Sequence, residues 1–176
     1  HLTKIEARPD VKLGIVSPDG RDAMLQHAAQ FKAAGIPFVF DPGQGLPMFD
    51  GAELAAFVDQ ATWVTVNDYE GKMLSDRTGW SSADISRRVQ GLVVTLGAEG
   101  SEVWVDGEKT LVPPVKASAV VDPTGCGDAY RGALLFGLEQ GWSLARCAAL
   151  GNRVGSLKIA QRGPQNYHLD SSVFAA

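Results

Sequence analysis

The stretch from Val120 to Leu138, VVDPTGCGDAYRGALLFGL, sets Pro123, Gly125 and Gly127 directly before a long apolar helical pattern and places an acid, Asp128, in that pattern's first turn. The first amides of a helix have no intrahelical acceptor, and the helix dipole adds partial positive charge at the same end. Glycines at 125 and 127 let that backbone approach a ligand with no side chain in the way, which makes an anion pocket. A carboxylate beside such a pocket repels a phosphate, unless its task is to take a proton from a hydroxyl that attacks the phosphoryl group held there. Phosphoryl transfer needs positioning, charge stabilisation and a carboxylate oriented on the nucleophile, and this stretch offers all three. The plainer reading is a glycine turn followed by an acid that suits the dipole of a first turn, and G-x-G-D taken alone favours it.

These residues need elements to hold them. Lys12 to Ser17 (KLGIVS) and Pro37 to Asp41 (PFVFD) read as buried strands around a helix with Met24, Ala28 and Phe31 on one face, a βαβ unit. Asp19 with Asp22 marks that helix's start and Gly35 its end. A second unit runs through Gly51 to Ala61 into the strand Thr62 to Val66, and another strand follows at Gly91 to Gly97. Strands alternating with helices imply a mostly parallel sheet with helices on both faces. Asp106-Gly107 between two alternating runs breaks the rhythm and predicts an antiparallel hairpin. Two helices close the chain, Gly125 to Gln140 and Ser143 to about Gln161, the second carrying Cys147, Leu150, Val154 and Leu157 on one stripe that packs on the core.

Ligands of open α/β sheets collect at the carboxyl ends of strands. Besides the glycine stretch, two segments sit at such ends: TLGAEGS, Thr95 to Ser101, and NDYE, Asn67 to Glu70. The first is also readable as a plain glycine turn. The second is also a helix capping box, with Asn67 as cap and Glu70 three residues on.

Composition excludes several classes. The chain has 176 residues and a net charge of −4 spread without any Lys/Arg block, so nucleic acid is not an expected partner. Cys126 and Cys147 give no disulfide framework and no apolar run is long enough to span a bilayer, which fits a cytoplasmic location and no membrane partner. His1, His27 and His168 share no metal-ligand spacing. A thiol at a helix N-terminus, as at Cys126, is expected to have a lowered pKa. No G-x-G-x-x-G follows the first strand, which sets aside a hydride-transfer dinucleotide enzyme.

The run Asp122, Pro123, Thr124, Gly125, Cys126, Gly127, Asp128 resembles the second signature of the ribokinase-like, or PfkB, family of sugar and nucleoside kinases, with Cys126 where Ala is usual and Tyr130 where Phe is usual. The resemblance covers nearly the whole chain. It implies a three-layer α/β/α ribokinase-like fold, with Asp128 as catalytic base and the amides of Gly125, Cys126 and Gly127 as the anion hole. TLGAEGS resembles the family's T-L-G-x-x-G loop, which makes Thr95, Gly97 and Gly100 nucleotide contacts, and Asn152 takes a position near the adenine. NDYE resembles the family's N-x-x-E, which associates Asn67 and Glu70 with Mg²⁺ and phosphate placement. Asp122 and Thr124 fall where cation-activated relatives bind a monovalent ion such as K⁺. Within the family, DPGQGLP, DPTGCGDAYRGALL and RGPQNYHL are most similar to bacterial adenosine kinases, which implies transfer from Mg-ATP to the 5′-hydroxyl of adenosine; a fructokinase- or ribokinase-type sugar kinase stays open. Family chains are longer on the N-terminal side, where early strands and a β lid supply most acceptor contacts. Residues 1–176 are therefore expected to be the C-terminal, nucleotide-binding and catalytic part of a single domain, with a homodimer as a further expectation. A non-catalytic nucleotide-binding fragment is the alternative of another class.

Overall fold

The computed structural model describes residues 4, 8 and 10–174. Six strands follow one another in sheet order: β1 (Gly14–Val16), β2 (Phe38–Phe40), β3 (Trp63–Asn67), β4 (Gly91–Thr95), β5 (Ser101–Val105) and β6 (Glu108–Val112). The first four are parallel, and α1 (Arg21–Ala34), α2 (Gly51–Gln60), α3 (Asp68–Thr78) and α4 (Ser82–Ser86) connect or flank them. The expected hairpin joins β5 to β6, with Asp106 at φ 49° and Gly107 at φ 83°, the positive values that a two-residue turn of this hand requires. Two long helices follow, α5 (Cys126–Glu139) and α6 (Leu144–Ile159). This is the α/β architecture that the sequence predicts, a mostly parallel sheet with one antiparallel addition.

The chain divides into two compact units, His1–Thr95 with Trp104–Lys109, and Leu96–Val103 with Thr110–Ala176. In the first, Met24, Ala28 and Phe31 of α1 are buried as predicted. Phe31 packs where Gly14 has no side chain, since a Cβ there would lie 2.3 Å from the Phe31 ring. The α1 cap differs from expectation: Asp19 accepts from the Gly20 amide at 2.7 Å and Gly20 becomes the N-cap, because an Asp carboxylate readily bonds the neighbouring backbone. Gly35 ends the helix in the left-handed region, as expected. Helix α2 starts on a capping box in which Asp50 and Glu53 exchange side-chain and backbone bonds. Its Phe57 lies parallel to Phe40 at 4.5 Å and edge-on to Phe49 at 4.9 Å, all three fully buried.

In the second unit α5 packs closely on α6. Gly137 admits Cys147, whose Sγ would lie 2.7 Å from a Cβ at 137, and Gly151 admits the Tyr130 ring at 2.6 Å. Ala129, Ala133, Leu150 and Val154 form the shared core with Val173. The expected α6 stripe holds for Cys147, Leu150 and Val154 but not for Leu157, which is 37% exposed. Its neighbour Lys158 is buried instead, because its ammonium finds backbone carbonyls at the helix end.

Truncating Phe57 to Ala removes the middle ring of the first unit's aromatic stack. It is expected to lower stability by about 3–5 kcal/mol in urea unfolding; a loss under about 1 kcal/mol would show that the stack is not a core contact.

Candidate active site

Helix α5 starts one residue later than the sequence suggests, because Gly125 is in the left-handed region at φ 80° and serves as N-cap. A Cβ on Gly125 would stand 2.9 Å from Pro164 Cα, so conformation and packing both require glycine. The loop ahead of it is tied at Asp122. Its Oδ1 accepts from the Thr124 amide at 2.9 Å and its Oδ2 from the Gly163 amide at 2.8 Å. Its carbonyl accepts from Lys158 Nζ at 2.6 Å, and its amide donates to the Ile159 carbonyl at 3.1 Å. The Gly163 amide, then the Thr124 amide, pull the Asp122 carboxyl down to about 2.

Of the three amides expected to form the anion hole, that of Cys126 is engaged with the Pro123 carbonyl at 3.1 Å. The amides of Gly127 and Asp128 open the first turn, where a helix offers no acceptor. The Asp128 side chain is 82% exposed, and its Oδ1 accepts from Arg131 Nη1 at 3.1 Å. Arg131 lies over the glycine step, since a Cβ at Gly127 would be 2.8 Å from the same nitrogen. A carboxylate, a guanidinium and open backbone amides therefore share one turn. Arg131 is not among the site residues expected from the sequence, although its spacing of three from Asp128 puts the two on one helix face.

Cys126 corrects an expectation. Burial raises its thiol pKa, an effect that Lys158 opposes and the Asp122 charge supports. Desolvation is the largest influence on this thiol, against the lowered pKa expected at a helix terminus.

In TLGAEGS, Gly97 to Glu99 form a single 3₁₀ turn, closed by the Leu96 amide donating to the Gly100 carbonyl at 2.8 Å. Gly97 is exposed at φ 58° with nothing within 4 Å of a Cβ, leaving its backbone open to a ligand. Gly100 is buried at φ 92°, and a Cβ there would lie 2.3 Å from the Val112 carbonyl, so its requirement is structural. Ser101 closes the loop by bonding Tyr130 Oη at 2.9 Å and donating to Asn152 Oδ1 at 2.8 Å. Asn152 Nδ2 in turn donates to the carbonyls of Val112 and Pro113 at 3.3 and 3.0 Å. Asn152, on α6, thus ties the end of this loop to the end of β6 and the residue after it. Burial of the Tyr130 phenol raises its pKa well above the ordinary range, so it stays a neutral partner in this network.

In the other unit, Asn67 and Glu70 do form the capping box of α3. Asn67 Oδ1 accepts from the Glu70 amide at 2.7 Å, and Glu70 Oε2 accepts from the Asn67 amide at 2.8 Å. Thr95 stands opposite Asn67 in the parallel register and donates to the Val66 carbonyl at 3.5 Å. Among the described residues no three His, Cys, Asp or Glu side chains gather as a metal site. Magnesium in nucleotide sites is held by one or two carboxylates together with phosphates and water, so a single partly exposed carboxylate such as Glu70 fits that ion.

The sequence profile of the pfkB family carbohydrate kinases matches residues 7–171. A nucleoside kinase of Methanocaldococcus jannaschii is 33% identical over 135 residues, which are 76% of this chain and 45% of that protein. The nucleoside kinase of Burkholderia thailandensis, in a complex described as ADP-inosine, superposes with a TM-score of 0.93 at 46% identity, covering 98% of this chain and 55% of that one. The ribokinase of Thermotoga maritima shares the fold at a TM-score of 0.79 and 20% identity, over 99% of this chain and 59% of that one. The chain spans about half the length of the relatives it matches.

The Asp122 tie carries a pH signature. A carboxyl held at about 2 against an ordinary 3.8 adds stability that is complete above the ordinary value and is lost as pH falls toward 2. The melting temperature of the protein is expected to fall more steeply between about pH 4 and pH 2 than that of Asp122→Asn. Parallel profiles would contradict the tie.

Proposed function

The chain belongs to the pfkB family of carbohydrate kinases, and from that premise we propose that its protein transfers the γ-phosphoryl group of ATP to the primary hydroxyl of a nucleoside, a purine nucleoside such as adenosine or inosine. The observation that carries this is the open Asp128 carboxylate in the first turn of α5, directly after the left-handed Gly125. Its support comes from relatives that are nucleoside kinases, one of them in complex with ADP and inosine.

In this reading Asp128 takes the proton of the acceptor hydroxyl as its oxygen attacks the γ-phosphorus. The bond from phosphorus to the bridging oxygen breaks and ADP leaves. The amides at Gly125, Cys126 and Gly127 receive the charge that grows on the phosphoryl oxygens; Gly127 is freer than Cys126, which already serves Pro123. Arg131 keeps Asp128 oriented and adds positive charge beside the pocket. Gly97 and Gly100 shape the loop along the nucleotide, with Thr95 at its start, and Asn152 holds that loop through Ser101. Asn67 and Glu70 are the residues assigned to magnesium, which when bound neutralises phosphate charge. Val120 and Val121, 79% and 51% exposed, offer apolar surface that a bound base would cover. The chain is thereby the catalytic, nucleotide-binding part of a ribokinase-like domain.

The test is ADP release from Mg-ATP by the protein of the full reading frame, offered inosine, adenosine, ribose and fructose separately. Turnover with a purine nucleoside at a kcat/KM about 10²-fold or more above either sugar is expected. Release with a sugar alone would make this a sugar kinase, and ATP binding without acceptor-dependent release would make it a binding module.

A further inference from the structure

Lys158 is fully buried, the one buried lysine or arginine among the described residues, and nothing in the reaction outlined above uses it. It lies on the last turn of α6. Its ammonium donates at 2.6 Å to the carbonyl of Asp122 and at 3.2 Å to that of Gln161. One carbonyl begins the glycine loop; the other lies just beyond α6. The same segment beyond α6 reaches the loop twice more, through the Gly163 amide on Asp122 Oδ2 and through Pro164 against Gly125.

A buried ammonium is expensive unless its surroundings answer its charge. Two carbonyl dipoles and the Asp122 carboxylate do so here, with the Asp122 charge unusually persistent because its carboxyl is held at about 2. Carbonyl oxygens around a desolvated single positive charge are also what a monovalent cation requires. The residues at Asp122 and Thr124 do not fit such an ion. Both Asp122 carboxylate oxygens already accept backbone amides, and its carbonyl already faces an ammonium that its own side chain tethers in place.

We propose that Lys158 is a built-in monovalent cation: a positioning residue whose tethered charge holds the Asp122–Asp128 loop, so that the enzyme needs no added potassium. The inference rests on the kinase reading. A free ion would come and go with the salt, whereas a side chain makes the loop geometry independent of it.

The experiment measures acceptor-dependent ADP release and melting temperature in potassium chloride, ammonium chloride and choline chloride at equal ionic strength. It uses the wild-type protein of the full reading frame, Lys158→Ala and Lys158→Met. Wild-type kcat is expected to differ by less than about 2-fold among the salts. Lys158→Ala should lose about 10-fold or more in kcat in choline, with a smaller change in KM for the acceptor, and recover in potassium or ammonium, which fit the vacated space. Lys158→Met, neutral but filling that space, should lose the same activity and not recover. Potassium should raise the melting temperature of Lys158→Ala and leave that of wild type unchanged. A wild-type enzyme whose kcat rises about 10-fold on adding potassium would overturn the proposal, as would an Ala variant as active in choline as wild type. If Lys158→Ala does not fold, the wild-type salt comparison decides. Absence of turnover with every acceptor in every salt would instead overturn the kinase reading, leaving the melting temperatures to decide this one.

Discussion

The second unit depends on how one aspartate is held. Asp122 uses both carboxylate oxygens, its carbonyl and its amide at once, and each bond reaches a different piece of backbone or the buried Lys158. A loop of Pro, Thr and Gly has no regular hydrogen-bond ladder to give it shape. Here the shape comes from those bonds and from the contact of Gly125 with Pro164. Only when the loop is held this way does α5 begin at Cys126, with its first-turn amides and Asp128 facing out. Electrostatic catalysis depends on groups that are already in place before charge develops, so the tie at Asp122 is a precondition of any chemistry at Asp128.

The same unit shows how close packing and polar bonding divide the work. Between α5 and α6, Gly137 and Gly151 let side chains of the facing helix come against backbone, which fixes the helix pair by shape. Tyr130, where the family usually has Phe, adds what shape alone lacks: its hydroxyl reaches Ser101, and Ser101 reaches Asn152. A half-satisfied polar network inside a protein is worse than none, but each member here has a partner. The result couples the end of the TLGAEGS loop to the helix that carries Asp128.

What the sequence disclosed follows from the range of the interactions concerned. Gly35 as a helix stop, Asp106-Gly107 as a hairpin turn and Asn67 with Glu70 as a capping box depend on residues within a few positions of one another, and all three are present. The buried face of α1 follows from helical spacing alone. The glycine loop was legible as a loop, and the family resemblance supplied the roles of its residues. Lys158 was not legible, because its partner Asp122 lies 36 positions away and a lysine at the end of an amphipathic stripe ordinarily faces water. The bonds of Asn152 to Ser101, Val112 and Pro113 were likewise not legible, since these partners lie 39 to 51 positions away. Cys126 misled for a related reason: helix position argued for an acidic thiol, while its burial, visible only in three dimensions, argues for the reverse and prevails.

The central claim is that Asp128 acts as a base on a hydroxyl beside a backbone anion pocket, and the measurement that tests it most directly separates binding from chemistry in one variant. Asp128→Asn keeps the size of the side chain and the amides of the first turn but cannot take the proton. ATP binding by calorimetry and acceptor-dependent ADP release, measured on the same preparation, should show turnover reduced by roughly 10²-fold or more with ATP affinity within about threefold of wild type. Turnover close to that of the wild type would contradict the account.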